Sequence, residues 1–298
     1  MSREFYITSD QSGRRLDRFL RVLWPQVPLG AVMKAIRKGN VRLDAKKASP
    51  DTRLEEGQFI QVPWDDDIHS AVVGEHSDAE LSEIDTIYKD GYVWVVNKPA
   101  GLLTQPEAKY GDSLVTRALL ELKWSRRDFH PSTVQRLDRN TSGIVLIAMT
   151  GLAQRCMSEL IRERKIKKIY NAIVSGDIPD NGEIDLPLIK DTEKNIVRTD
   201  KNGQSALTRY KKLGGSGKVS IVEIELVTGR SHQARVHMSA IGHPILGDKK
   251  YGGDGRAAKR PLLHAYSVTF PDDRRLPENL RNISFKAAIP DDMRKFYT

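Results

Sequence analysis

Charge segregation divides this chain before any secondary structure is considered. Between Val62 and Tyr88 there is no Lys or Arg, while Asp65, Asp66, Asp67, Glu75, Asp78, Glu80, Glu83 and Asp85 supply eight negative charges. Like charges repel, and too few apolar side chains remain among them to build a core, so the tract reads as a linker. The expected organisation is a small unit over 1–62, an acidic linker over 63–85 and a larger domain over 86–298. A chain of 298 residues can hold both cores without a disulfide or a structural metal.

The leading unit has the opposite charge. From Arg14 to Lys47, ten basic residues face only Asp17 and Asp44, a local charge of +8. In "RRLDRFLRVL", Leu16, Phe19, Leu20 and Leu23 fall at helical spacing, so the arginines lie largely on the other face. "LGAVMKAIRKGNVRLD" repeats the pattern with Val32, Met33 and Ile36 inward, and Gly39 ends that helix as a left-handed cap. Short strands follow at "VRLD" and "QFIQV". Basic residues enriched on one side of consecutive helices, among them Arg15, Arg18, Lys34, Arg37 and Lys38, predict a phosphate-binding face rather than an ordinary solvated one.

The whole chain carries +9, with 48 Lys and Arg against 39 Asp and Glu, which favours polyanionic partners: nucleic acid first, an anionic membrane surface second. The start has no apolar signal-peptide core, and no apolar run approaches the roughly 20 residues of a membrane span. A soluble, cytoplasmic protein is expected. The single cysteine, Cys156, excludes an internal disulfide and a multi-cysteine zinc site, and reads as a small buried hydrophobe.

After the linker, strands and helices mix without strict alternation. "YVWVVNKPAG", "GIVLIA", "YNAIVSG" and the alternating "KVSIVEIEL" read as strands. "DSLVTRALLEL" and "TGLAQRCMSELIRERK" read as helices. The second is capped by Thr150 and buries Leu152, Cys156 and Leu160 beside Ala153, Met157 and Ile161. An α+β domain with a mixed sheet fits this order better than a doubly wound one.

Two stretches carry chemistry. In "VQRLDRNTSGIVLIA", Asp138 sits between Arg136 and Arg139 at the mouth of a buried strand. Two close guanidiniums would keep its carboxyl ionised, as a structural ion pair or as a nucleophile or base. "LVTGRSHQARVHMSAIGHPILGDKKYGG" turns at Gly229 into a helix with Ser231 as N-cap and Gly242 as its stop. Arg230 falls at the strand-to-helix corner, where a rigid frame aims side chains into clefts. Ala234, Met238 and Ile241 make the helix's apolar stripe and leave His232, Gln233, Arg235 and His237 for other duties. The spacing of His232, His237 and His243 fits no common zinc pattern, so no metal is expected. "GGSGKVS" lacks the hydroxyl and helix of a phosphate loop and reads as a hairpin turn.

Together these stretches resemble the RluA family of RNA pseudouridine synthases. "NKPAGLLT", "QRLDRNTSG", "KKIYNAIVSG" and the "LVTGRSHQARVHMSAIGHPILGDKKYG" segment follow the family's motif order, and "LLHAYSVTF" and "FKAAIPDDM" resemble its usual ending. The similarity runs over about residues 86–298. Residues 14–62 resemble the αL RNA-binding module of the S-four type carried by large-subunit ribosomal RNA synthases of the RluC and RluD subgroups. The resemblance implies a pseudouridine synthase domain with a mixed, largely antiparallel β-sheet behind a small RNA-binding domain. It makes Asp138 the catalytic carboxylate, Tyr170 the ring that stacks on the target uracil and Arg230 the partner of the Asp. It makes Arg136 the side chain that replaces the flipped base, Leu226 a contact of the uracil and Lys98 a support of the substrate site. Gln135 stands where the family usually has His, Ser231 where Thr is commoner and Ala234 where Ile is common.

The implied reaction, uridine to pseudouridine, breaks a nitrogen–carbon glycosidic bond and rejoins the ring through carbon, so no cofactor is required. The target nucleotide must be flipped out at a cost of roughly a few kcal/mol, which stacking on Tyr170, worth about 1–3 kcal/mol, partly returns. The expected partner is structured RNA, most of all large-subunit ribosomal RNA. The alternative is an RNA-binding ribosome-assembly protein that keeps the fold without the chemistry.

Overall fold

A computed structural model describes residues 3–24, 27–64, 83–107, 111–124, 129–191 and 193–297. Most of the expected acidic linker, 65–82, lies outside the described residues.

The leading segment runs β1 (Arg3–Tyr6), α1 (Leu16–Leu23), α2 (Leu29–Lys38), β2 (Arg42–Leu43), β3 (Lys46–Lys47) and β4 (Phe59–Val62). Its sheet has the order β1-β4-β2-β3. Leu16, Phe19, Leu20 and Leu23 of α1 close a core of their own with Val32, Ala35 and Ile36 of α2, Ile60 and Val62. Met33, expected inward, is only half-buried, and Ala35 takes the interior place. Gly39 adopts φ 76° and ends α2 as the left-handed cap.

The second segment runs β5 (Thr86–Lys89), β6 (Val93–Lys98), α3 (Leu114–Glu121), β7 (Ser132–Thr133), β8 (Ser142–Ala148), α4 (Gly151–Arg162), β9 (Lys167–Ser175), β10 (Asn181–Asp185), β11 (Leu188–Asp191), β12 (Ile196–Thr199), β13 (Leu207–Gly215), β14 (Val219–Leu226), α5 (Gln233–Ala240), β15 (Leu263–Thr269), β16 (Ser284–Lys286) and α6 (Asp291–Arg294). One sheet orders these as β10-β13-β14-β9-β15-β8-β6-β5, with β16 on β15 and β7 on β8. Among the described pairings of this sheet only β8 with β15 is parallel, so the architecture is the mixed, largely antiparallel α+β sheet expected. β11 and β12 form a separate hairpin.

The uninterrupted apolar run in β8 follows from burial on both faces. Val145 and Ile147 join the core beneath α3 and α5, where Leu114, Ala118, Ala234 and Met238 pack. Ile144 and Leu146 join the opposite core with Ala153, Cys156, Met157 and Leu160 of α4. Thr150 caps α4 by accepting the Ala153 N–H at 3.1 Å. Leu152, expected inside, is 61% exposed, because the apolar stripe of α4 begins one residue later at Ala153. Gly143, the second residue of β8, has φ 110°, and a Cβ there would stand 2.3 Å from the Ala265 carbonyl, so only glycine lets β8 and β15 come together at this point.

Candidate active site

Asp138 lies in the loop between β7 and β8, and the surrounding backbone holds it from several sides. The Thr104 hydroxyl donates to the Leu137 carbonyl at 2.8 Å and accepts the Leu137 N–H at 3.1 Å. Gly101 N–H donates to the Arg139 carbonyl at 2.9 Å, and Arg139 Nε returns a bond to the Gly101 carbonyl at 3.0 Å. The "NKPAGLLT" stretch is thus the scaffold of the Asp loop. Arg139 spends its Nε on that scaffold, and Arg136 is exposed, so neither neighbour in sequence forms the ion pair expected of it.

The partner of Asp138 comes from α5. Arg235 Nη1 donates to Asp138 Oδ2 at 2.8 Å, while Nε and Nη2 grip Asp248 at 2.7 and 2.8 Å. Asp248 is 1% exposed, so its charge is compensated through this fork. Burial alone would lower the Arg235 pKa, but its bonds to Asp248 and Asp138 outweigh that and raise it, so the guanidinium stays charged. The expected partner, Arg230, lines the same cavity but gives its Nε to the Ser205 carbonyl at 3.0 Å. The helix also begins later than its cap signal: His232, at φ 52°, holds the N-cap position without a side-chain bond, and Gln233 Oε1, not Ser231, collects the Arg230 N–H at 3.0 Å. At this corner Arg230 is exposed and Arg235 reaches the carboxylate.

The cavity beside Asp138 measures about 900 Å³ and is lined by Tyr170, Leu226, Arg136, Arg230 and His232. Tyr170 is 8% exposed on β9, and burial followed by the Asp138 charge raises its phenol, which stays protonated. Lys168, Lys190, Lys250 and Lys259 add positive charge to the walls. The cavity is larger than one aromatic base needs, and its basic walls suit an anionic ligand.

Lys98 departs from its expected role at the substrate. It is fully buried and donates to the carbonyls of Pro99 and Leu102, both at 2.8 Å, and of Arg139 at 3.1 Å. Burial, then the Arg260 charge, push its ammonium down to about 7, against the pull of Asp138. It is a positioning residue that ties the scaffold to the Asp loop.

The histidines of the last motif do not converge. His237 is held by Thr208 and the Leu186 carbonyl, and His243 by the Ser175 carbonyl. Among the described residues, no group of three His, Cys, Asp or Glu side chains could hold a metal ion. On the leading segment Arg18, Lys34, Arg37 and Lys38 are exposed. Arg15, expected among them, is instead paired with Asp17 at 2.9 Å. The sequence missed Arg235 as partner, Asp248, Tyr251 and Thr104. For Arg235 a signal existed, since it lies off the apolar stripe of α5.

Fold and cavity together place a carboxylate, an aromatic ring and several cationic side chains in one cleft, the equipment of an enzyme for an anionic substrate. The family model described as RNA pseudouridylate synthase matches residues 92–240. The chain is 32% identical over 285 residues to the ribosomal large subunit pseudouridine synthase C of Vibrio vulnificus (strain CMCP6), covering 89% of this chain and 87% of that protein. The same values hold for the protein of that name from Escherichia coli (strain K12). Among solved structures, human RNA pseudouridylate synthase domain containing 4 matches with a TM-score of 0.57 and 25% identity, over 71% of this chain and 92% of that one. Human RNA pseudouridylate synthase domain containing 1 shares the fold at a TM-score of 0.57 and 23% identity, over 70% and 84% of the two chains. The chain belongs to the RNA pseudouridylate synthase family, in the RluA group, and isomerises uridine to pseudouridine in RNA.

Proposed function

We propose that the substrate is large-subunit ribosomal RNA and that Asp138 is the reacting carboxylate. The carrying observation is the 2.8 Å pair between Arg235 and Asp138 at the wall of a cavity shared with Tyr170 and Leu226. Arg235, fixed by Asp248, holds one carboxylate oxygen and leaves the other toward the cavity. That anion attacks C1′ of the flipped nucleotide or removes a ribose proton. The N1–C1′ bond breaks, the ring turns, C5 bonds to C1′, and the proton lost from C5 is balanced by one gained at N1. Tyr170 stacks on the uracil, Leu226 packs beside it, and Arg136, exposed at the mouth, fills the space the base leaves.

In this reading residues 1–62 are an S-four-type RNA-binding domain that meets phosphates through Arg18, Lys34, Arg37 and Lys38, and the protein works in the cytoplasm. The intact Asp138 constellation weighs against a fold that has lost its chemistry. The test is to treat ribosomal RNA from cells lacking the gene with purified protein and to map pseudouridines. New sites confined to large-subunit RNA, absent with Asp138→Asn, support the reading. Modification of other RNA alone overturns the substrate assignment, and an active Asp138→Asn overturns the assignment of the residue.

A further inference from the structure

His232 lines the cavity in a conformation that L-residues seldom adopt, φ 52° and ψ 16°. Such backbone persists where surrounding structure enforces it, and it gathers at working sites. The ring is fixed from behind. Nδ1 lies 2.7 Å from the Tyr251 hydroxyl, and that same oxygen accepts the Val197 N–H at 3.0 Å. With Val197 N–H on one lone pair, the phenol proton is assigned to the bond with Nδ1, and the neutral imidazole then carries its proton on Nε2. Nε2 stands 3.7 Å from Asp138 Oδ1, too far for a hydrogen bond, while Arg235 occupies Oδ2. Among the described residues, no hydrogen bond uses Nε2, which stands beside the carboxylate oxygen that Arg235 leaves open.

The groups facing the ring keep it neutral. Burial lowers its pKa, Arg235 and Lys250 lower it further, and Asp138 and Asp248 oppose them without reversing the direction. A neutral donor suits a departing ring better than a cation that would compete for Asp138.

We infer that His232 is a catalytic hydrogen-bond donor whose Nε2–H, oriented by Tyr251, meets the O2 carbonyl of the uracil as the N1–C1′ bond breaks. The electron pair of that bond passes into the ring and is shared between N1 and O2. The proton stays on Nε2, so no bond to hydrogen is made or broken. The inference rests on Asp138 being the reacting carboxylate, and its test separates the two.

Single-turnover rates and RNA affinities are measured for His232→Leu, His232→Gln, Tyr251→Phe and Asp138→Asn, with thermal melts as the check on folding. Leu fills similar space without a donor and should slow the reaction about 100-fold with affinity unchanged. Gln places an amide N–H near the same point and should stay within about fivefold of the parent. Tyr251→Phe frees the tautomer and should cost about tenfold, and 15N spectra should show Nε2–H as the parent's form and a mixture in the variant. Equal rates for Leu and Gln in folded proteins overturn the proposal, as does an unchanged rate for Tyr251→Phe. If Leu fails to fold, the Gln and Phe rates decide alone. An active Asp138→Asn removes the carboxylate assignment itself, whereas full activity in His232→Leu beside a dead Asp138→Asn removes only His232.

Discussion

Behind Asp138 the charges of Arg235, Asp248 and Lys98 are buried and saturated with hydrogen bonds, whereas those of Arg18, Lys34, Arg37 and Lys38 on α1 and α2 stand in water. Arg235 is fixed at three points by Asp138 and Asp248, and Lys98 is buried with its ammonium turned to three backbone carbonyls. Arg18, Lys34, Arg37 and Lys38 are exposed. The difference follows from what each region must do. Reaction at one ribose carbon needs a carboxylate in one orientation, and such orientation is fixed by desolvated, saturated hydrogen bonds. Capturing a polyanion needs charge at roughly the right spacing, which solvated side chains supply through counterion release. Substitutions in the first region should therefore change rate and stability with little salt dependence, and those in the second should do the reverse.

The sharpest separation is expected from Asp138→Asn. It keeps the shape of the side chain and removes the anion, so single-turnover isomerisation should fall about 10⁴-fold or more. RNA affinity, and its slope against log salt, should stay as in the parent. A large loss of affinity would show that the two regions are not separate in function.

Asp248→Asn comes next. It turns the carboxylate that grips Arg235 Nε and Nη2 into an amide, while Arg235 keeps Asp138 as its counter-charge, and should cost about 1–3 kcal/mol in urea unfolding through the weakened buried hydrogen bonds. Activity should fall too, since Arg235 would no longer be held against Asp138. Unfolding free energy within about 0.5 kcal/mol of the parent would mean that the fork is not a buried pair at all.

Lys98 makes the first region sensitive to pH. Its folded pKa lies below that of the unfolded chain, so the unfolded state binds the extra proton between about 7 and the ordinary lysine value. The cost of burying the ammonium is fully present below pH 7 and is relieved as pH rises through that window. Stability of the parent relative to Lys98→Met should therefore climb by a few kcal/mol from pH 7 to 10. A flat difference would place the pKa near its usual value.

Much of the fold was legible because periodicity and capping are local. Gly39, which lacks a Cβ, and Thr150, through its hydroxyl, cap their helices as residue type demands, and the "GIVLIA" run marked a strand buried on both faces. Leu152 was misplaced because a stripe only two turns long tolerates two registers. β1 went unread because four residues of mixed polarity, "REFY", carry no clear alternation. At the site, Asp138 was visible from its motif, but its partner lies 97 residues away, and the same motif offers two arginines five positions apart. Choosing between them required the left-handed turn at His232, a property of the folded corner and not of residue type. Asp248 had no periodic or spacing signal. Its role depends wholly on what α5 brings to it.

The smallest effect should come from the exposed helices, and it tests the comparison from the other side. Lys34→Gln, Arg37→Gln and Lys38→Gln together remove three exposed charges from α2. If each neutralises one phosphate, the slope of log affinity against log salt should fall by about 0.7–0.9 per residue, according to whether the contacted RNA is single- or double-stranded. Affinity at low salt should drop about tenfold, because other basic groups still hold the RNA. The rate at saturating RNA should not move, since these side chains do not line the Asp138 cavity. Phosphate contacts set position and affinity and have no means of distinguishing transition state from ground state. An unchanged slope would assign these charges to solvation alone, and the RNA path would then have to run along the lysines that line the cavity.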